Sequence, residues 1–259
     1  MKTLVFLVFL MAPIGVLAQS ALDGTWRVDL QSGQFAGKPT VQSLQSGIYR
    51  CDTCVPKIDV KADGQEHERK GDPYADTISV REINDHSIET VVKKGGKVVG
   101  KDTDTASDDG NTLTSEWSFV SEAGQTGGGK TVSKRVGPAA GGANKISGSW
   151  QQEKLENASE SVMTLTFKAT DDGLSMSNQV GASYAAKFDG KDYPYKGDPG
   201  ITSVTLKKID RNTVEETDKR NGKAITVVRI SVSDDGKTMH FDGEDKLAGQ
   251  TFKWTAKKE

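Results

Sequence analysis

Residues 186–240 read AKFDGKDYPYKGDPGITSVTLKKIDRNTVEETDKRNGKAITVVRISVSDDGKTMH, and residues 60–114 read VKADGQEHERKGDPYADTISVREINDHSIETVVKKGGKVVGKDTDTASDDGNTLT. The two align without a gap at an offset of 126 residues, so the chain carries one unit twice. Identities fall where a strand has to turn. Asp63-Gly64 answers Asp189-Gly190, Gly71-Asp72-Pro73 answers Gly197-Asp198-Pro199, Gly96-Lys97 answers Gly222-Lys223, and Ser107-Asp108-Asp109-Gly110 answers Ser233-Asp234-Asp235-Gly236. Gly supplies the positive φ of tight hairpin turns, and Asp tolerates such conformations and bonds to the local backbone. Between turns the apolar residues alternate. Ala224, Thr226, Val228, Ile230 and Val232 are expected on one face of a strand, and Val204 with Leu206, and Phe252, Trp254 and Ala256, repeat the pattern. Period two with turns every 8–12 residues or so describes an antiparallel meander.

The duplication extends to both ends of the unit. Gly24-Thr25-Trp26 matches Gly148-Ser149-Trp150, and Ala123-Gly124-Gln125-Thr126 recurs as Ala248-Gly249-Gln250-Thr251. The expected fold class is all-β: two tandem antiparallel up-and-down β-barrels or strongly curved sheets, residues 19–136 and 146–259. Residues 137–145, GPAAGGANK, read as a Gly/Pro/Ala-rich linker between them. One continuous larger barrel is the alternative.

Residues 1–18, MKTLVFLVFLMAPIGVLA, have a basic n-region, a short apolar run and small residues Val16 and Ala18 before Gln19. This is the pattern of a secretory signal peptide, and the apolar run is too short for a membrane span. Export to the periplasm or the extracellular space is expected, with no membrane span in the mature chain. The formal net charge is −2, so no basic excess is present to neutralise a phosphate backbone, and nucleic acid is excluded as a partner class. Glycine accounts for 28 of 259 residues, above usual frequency, as a turn-rich chain with a thin core requires.

Cys51 and Cys54 are the only cysteines. A thioredoxin-type pair needs a strand leading into a helix, whereas strand-like segments and Pro56 flank this one. A haem attachment site would need His where Val55 stands, and zinc would need two further ligands. In an oxidising compartment the pair reads as a short disulfide that shapes a turn. Ser177 and Val180 take these positions in the second copy. The segment AGQTGGGKT (123–131) satisfies G-x-x-x-x-G-K-[ST], but a phosphate loop must open a helix, and Thr131 to Val136 look like a strand. Trp26 and Trp150 are expected as structural anchors near a barrel end. Tyr193 and Tyr195 flank Pro194 in a segment expected at a rim or edge, which makes them the candidate ligand-contacting side chains.

Glu215 and Glu216 are adjacent and would face opposite sides of a strand, so they form no acid/base pair by themselves. No nucleophile elbow, H-E-x-x-H or dinucleotide fingerprint is present. No catalytic residue, metal ligand or cofactor is therefore expected, and the chain reads as a non-enzyme.

The early Gly-x-Trp, at Gly24-Trp26 and Gly148-Trp150, followed by meandering strands, resembles the lipocalin and fatty-acid-binding group of barrels. The duplicated unit, with GKDYPYKGDP and SDDGKTM, resembles an uncharacterised family of exported bacterial proteins over nearly the whole mature chain. The lipocalin resemblance implies a tryptophan closing the barrel floor against a basic residue of the last strand, here Trp26 with Arg135 or Trp150 with Lys257. It also implies a small apolar or amphipathic ligand inside a monomeric barrel. Two other functions compete with that expectation: a structural protein contacting an envelope partner, and a thiol-redox protein using Cys51 and Cys54.

Overall fold

The computed structural model describes residues 20–138 and 143–259. The signal-like residues 1–18, and positions 139–142 of the Gly/Pro/Ala-rich stretch, lie outside the described residues. In chain order the strands are β1 Gly24–Gly37, β2 Thr40–Gln45, β3 Ile48–Cys51, β4 Ile58–Lys61, β5 His67–Glu68, β6 Thr77–Asn84, β7 Ser87–Lys94, β8 Lys97–Ala106, β9 Thr112–Val120, β10 Thr126–Arg135 and β11 Gly148–Glu156. A four-residue helix, α1 Glu160–Met163, follows. The second half continues with β12 Thr164–Ala169, β13 Gly173–Asn178, β14 Ser183–Lys187, β15 Tyr193–Lys196, β16 Ser203–Lys208, β17 Thr213–Arg220, β18 Lys223–Val232, β19 Thr238–Asp245 and β20 Gln250–Lys258.

All pairings are antiparallel, and they form two ten-stranded sheets of up-and-down topology. The repeated turns have the geometry their residues imply. Gly95-Gly96 and Asn221-Gly222 each place two successive residues at positive φ, as a two-residue hairpin turn of type I′ requires. In both copies the Ser-Asp-Asp-Gly turn is tied in the same way. Ser107 Oγ donates to Asp109 and accepts from Thr112 N–H; Ser233 Oγ does the same with Asp235 and Thr238.

The sheets do not follow the sequence halves end to end. One is a closed barrel of β12 through β20 sealed by β1, which pairs with β12 on one side and β20 on the other. The other runs β4-β3-β2-β11-β10-β9-β8-β7-β6-β5 and contains β11 between β10 and β2. Each half has lent its first strand to the barrel of the other. The stretch around residues 137–145 accordingly joins β10 to β11, two neighbours in one sheet. The chain crosses between barrels at the short connections β1–β2 and β11–α1–β12.

Each exchanged strand carries the tryptophan of its Gly-x-Trp. Trp26 is fully buried in the second barrel and donates from Nε1 to Leu22 O at 3.0 Å. Trp150 is buried in the first and donates to Ile146 O at 2.8 Å. Arg135 lies over the Trp150 ring at 4.1 Å, and Lys258 Nζ lies over Trp26 at 5.1 Å. The partners expected from the lipocalin resemblance, Trp26 with Arg135 and Trp150 with Lys257, are thus corrected. The exchange brings each tryptophan to a last strand from the other half, and on β20 it is Lys258 that faces the ring.

The first sheet stays open where the second closes. Tyr184 pairs with Tyr195 across β14 and β15. Ile58 and Arg69 hold these positions in the first copy, and β4 and β5 are the sheet's edges. A side chain bridges the gap instead: Arg69 donates to Pro56 O at 3.2 Å and Lys57 O at 3.5 Å, and pairs with Asp72 at 2.9 Å. Beside this gap Cys51 and Cys54 form a disulfide between β3 and β4, with Cα atoms 5.4 Å apart.

Two local expectations are revised. Pro194 lies on β15 inside the closed barrel, not at a rim or edge; each side of this short strand pairs at only two residues, so a missing N–H is tolerated. Ala224 is exposed, because the register shifts between Asp218↔Thr226 and Lys219↔Ala224, leaving Ile225 as an unpaired, buried extra residue.

Replacing Trp26 by Ala is expected to destabilise the second barrel by about 3–5 kcal/mol. In hydrogen exchange, protection should fall in residues 164–169 and 250–258 while residues 126–135 keep theirs. Loss of protection in residues 126–135 instead would contradict the exchanged arrangement.

Candidate functional site

The packed core of the second barrel does not reach its mouth. A cavity of 320 Å³ lies above the Trp26 floor, lined on the barrel side by Val28, Phe167, Met176, Val228, Phe241, Phe252 and Trp254. Ala158, Val162 and Met163 of the β11–β12 connection, with Leu155 and Trp117 of the first barrel, complete the wall. The inward rows explain most of this lining. Trp26 and Val28 alternate on β1, Phe252, Trp254 and Ala256 on β20, and Val228, Ile230 and Val232 on β18. Space remains because Phe252 pairs with Gly243. A Cβ at residue 243 would stand 2.2 Å from the Phe252 ring, so glycine lets that ring lie flat over β19 instead of projecting across the barrel.

The glycine run at the cavity's far wall has a similar origin. Cβ atoms at Gly127 and Gly129 would stand 2.4 Å from Phe119 and 2.7 Å from Trp117. These two rings are stacked with centroids 6.3 Å apart, and Trp117 Nε1 donates to Thr131 Oγ1 at 3.1 Å. The AGQTGGGKT segment is therefore strand β10 with room for two aromatic rings, and it opens no helix.

One charged side chain lines the cavity, Glu216. It belongs to the inward row Val214, Glu216, Asp218 of β17, all buried. Tyr184 Oη donates to Glu216 Oε2, and the Tyr184 and Tyr195 rings lie 5.8 Å apart behind it. Asp218 Oδ1 is buried with no hydrogen-bond partner. Burial is the main cause that pushes both carboxyls up, Glu216 to about 7 and Asp218 to about 8, and for Asp218 the Glu216 charge adds to it.

The first barrel carries a half-buried acid pair, Asp102 and Asp104, at the same level, shifted one strand over. Asp102 is in register with Thr90, the position matched by Glu216 in register with Val228. Its interior is bridged by side chains: Tyr49 donates to Gln42 at 3.0 Å, Gln42 to Asp104 at 3.3 Å, and Ser115 to Asp104.

The sequence candidates occupy other places. Tyr193 packs against the second core and donates to Asp189 at 3.1 Å. Tyr195 lines a groove of 800 Å³ between the barrels, together with Tyr74, Val98 and Asp198. Neither tyrosine is among the cavity-lining residues. Glu216 escaped sequence reasoning as a site residue. Its alternation with Glu215 showed that one of the two points inward, but not that the inward one borders empty space. Among the described residues no group of three or more His, Cys, Asp or Glu is placed to hold a metal ion.

The buried carboxyls fix the sign of the pH dependence. Glu216, Asp218 and Asp102 keep protons in the folded state that the unfolded chain releases above about pH 4. Their contribution is complete below that value and is lost as pH rises through about 7 to 8. Exposed Asp172 and Asp192, held low by hydrogen bonds from Lys187 and Lys219, act in the opposite direction and lose their contribution as pH falls below about 4. The thermal midpoint is expected to drop by about 5 °C or more between pH 5 and pH 8.5. Glu216→Gln with Asp218→Asn should flatten that drop; an unchanged slope in calorimetry would show that these groups are not buried as described.

A scan against protein-family models finds no family that matches this chain, and a search of curated proteins finds no matching relative.

Proposed function

We propose that this is a non-catalytic binding protein that holds a small, largely apolar molecule in the second barrel. The observation that carries the reading is the 320 Å³ pocket at the mouth of the closed barrel, bounded by aliphatic and aromatic side chains with one carboxyl among them. Pockets that bury small ligands have this composition and size: an apolar wall and a few polar groups that fix orientation. A lipocalin-like relationship is supported by the floor of each barrel, where a Gly-x-Trp tryptophan lies under a basic residue of the last strand. Export is supported by the leader-like residues 1–18 and by the Cys51–Cys54 disulfide. No helix among the described residues is long and apolar enough to cross a membrane.

The redox alternative is less well supported, since the cysteines sit between two strands and, among the described residues, no helix N-terminus faces them to stabilise a thiolate. Ala158, Val162 and Met163 of the β11–α1–β12 connection form one wall of the pocket. The two barrels then differ in role. The second holds the ligand, and the first supplies part of the cover through Trp117 and Leu155.

Diphenylhexatriene, an uncharged apolar fluorophore, is expected to bind saturably at one site. Val228→Trp, which projects a large ring into the cavity, should weaken that binding at least tenfold while leaving the circular dichroism spectrum unchanged. An absence of saturable fluorescence, or equal binding by the filled variant, would overturn the proposal.

A further inference from the structure

We propose that the ligand of the second barrel carries a cationic amine on its apolar body, and that Glu216 receives the ammonium with Asp218 as the second carboxylate behind it. This inference rests on the binding reading above and specifies its chemistry. No basic side chain is found among the residues lining the cavity, and the one charged group there is an acid. A carboxylate-headed molecule would meet Glu216 with a like charge and find no counter-ion. An uncharged alcohol could bond to Glu216, but would leave the rest of the acidic pair as it stands.

The pair receives few donors from the protein around it. Glu216 and Asp218 are each 8% exposed. Tyr184 supplies one hydrogen bond, to Glu216 Oε2, and the two carboxyls share another; Asp218 Oδ1 has no partner, as Asp102 Oδ1 has none in the first barrel. The groups that bear on the pair from the surrounding strands are Tyr184, Tyr195 and Asp198, and none brings a positive charge. Buried polar atoms without partners are rare in folded proteins and each calls for an explanation. An ammonium offers three donors and the counter-charge that an ionised carboxylate there would need. It would enter charged, one carboxyl of the pair would give up its proton to solvent, and an ion pair would form inside the apolar wall, where such pairs are weakly screened. Geometry also fits the division of the ligand. The acids lie on one inward row of β17, and Phe167, Met176, Phe241 and Phe252 provide the apolar surroundings for the body of the molecule.

The test is calorimetric titration of the full chain at pH 7 with octylamine, octan-1-ol and octanoate, which share one apolar body and differ in the head. Octylamine should bind at least tenfold more tightly than octan-1-ol, and octanoate most weakly. Repeating the octylamine titration in buffers of different ionisation enthalpy should reveal release of about one proton per ligand bound. Glu216→Gln should abolish both the amine preference and the proton release while retaining octan-1-ol; if that variant does not fold, Asp218→Asn should reduce both. Octan-1-ol or octanoate binding as tightly as octylamine, or amine binding without proton release, would overturn the amine assignment and leave the binding proposal standing. Failure of all three together with diphenylhexatriene would overturn both.

Discussion

Everything in this molecule depends on two tryptophans that seal barrels built by the opposite half of the chain. Trp26 belongs to the first sequence unit and closes the floor of the second barrel, and Trp150 does the reverse. Each ring is fixed in two directions, by an indole hydrogen bond to a carbonyl four residues earlier and by a cation held over its face. Burying a tryptophan without a partner for its N–H would be costly, and the Leu22 and Ile146 carbonyls remove that penalty in both copies by the same means. The exchanged strands β1 and β11 come into contact with each other, so the two floors and the junction between barrels are one mechanical unit.

Within that frame the copies have diverged in their interiors. The second barrel closes through backbone pairing of Tyr184 with Tyr195, where the first uses the guanidinium of Arg69 and a neighbouring disulfide. The first fills its middle with a chain of polar side chains running from Tyr49 to Ser115. The second packs an apolar core and keeps a ring-lined pocket at its mouth. Duplication relaxes the demand that both copies do the same work. Here one interior is bridged by hydrogen bonds and the other retains space at its mouth, with an acid pair in each.

Much of the fold could be read from the residues. Gly and Asp at matching turns marked where strands end, and the alternation of Phe252, Trp254 and Ala256, or of Val228, Ile230 and Val232, marked faces that prove to be inward. What could not be read was which barrel a strand joins. Gly24-Thr25-Trp26 and Gly148-Ser149-Trp150 are nearly interchangeable in sequence, so local pattern does not distinguish pairing with the same unit from pairing with its copy. The site was hidden for a related reason. A cavity is a property of volumes summed over many strands, and its cause here is a glycine, Gly243, whose neighbour across the ladder happens to be Phe252. The glycines of β10 were equally opaque until Trp117 and Phe119 were seen lying on them.

The pairing of β1 with β20 sets an order of events for the nascent chain. β1 finds one of its two neighbours only when β20 is present, and the Glu259 N–H just beyond β20 bonds to Thr25 O. Such a ladder spans almost the entire contour of the polypeptide, and contacts of that separation form slowly. Until β20 has been made, β1 lacks one of its two neighbours, and the second barrel cannot close.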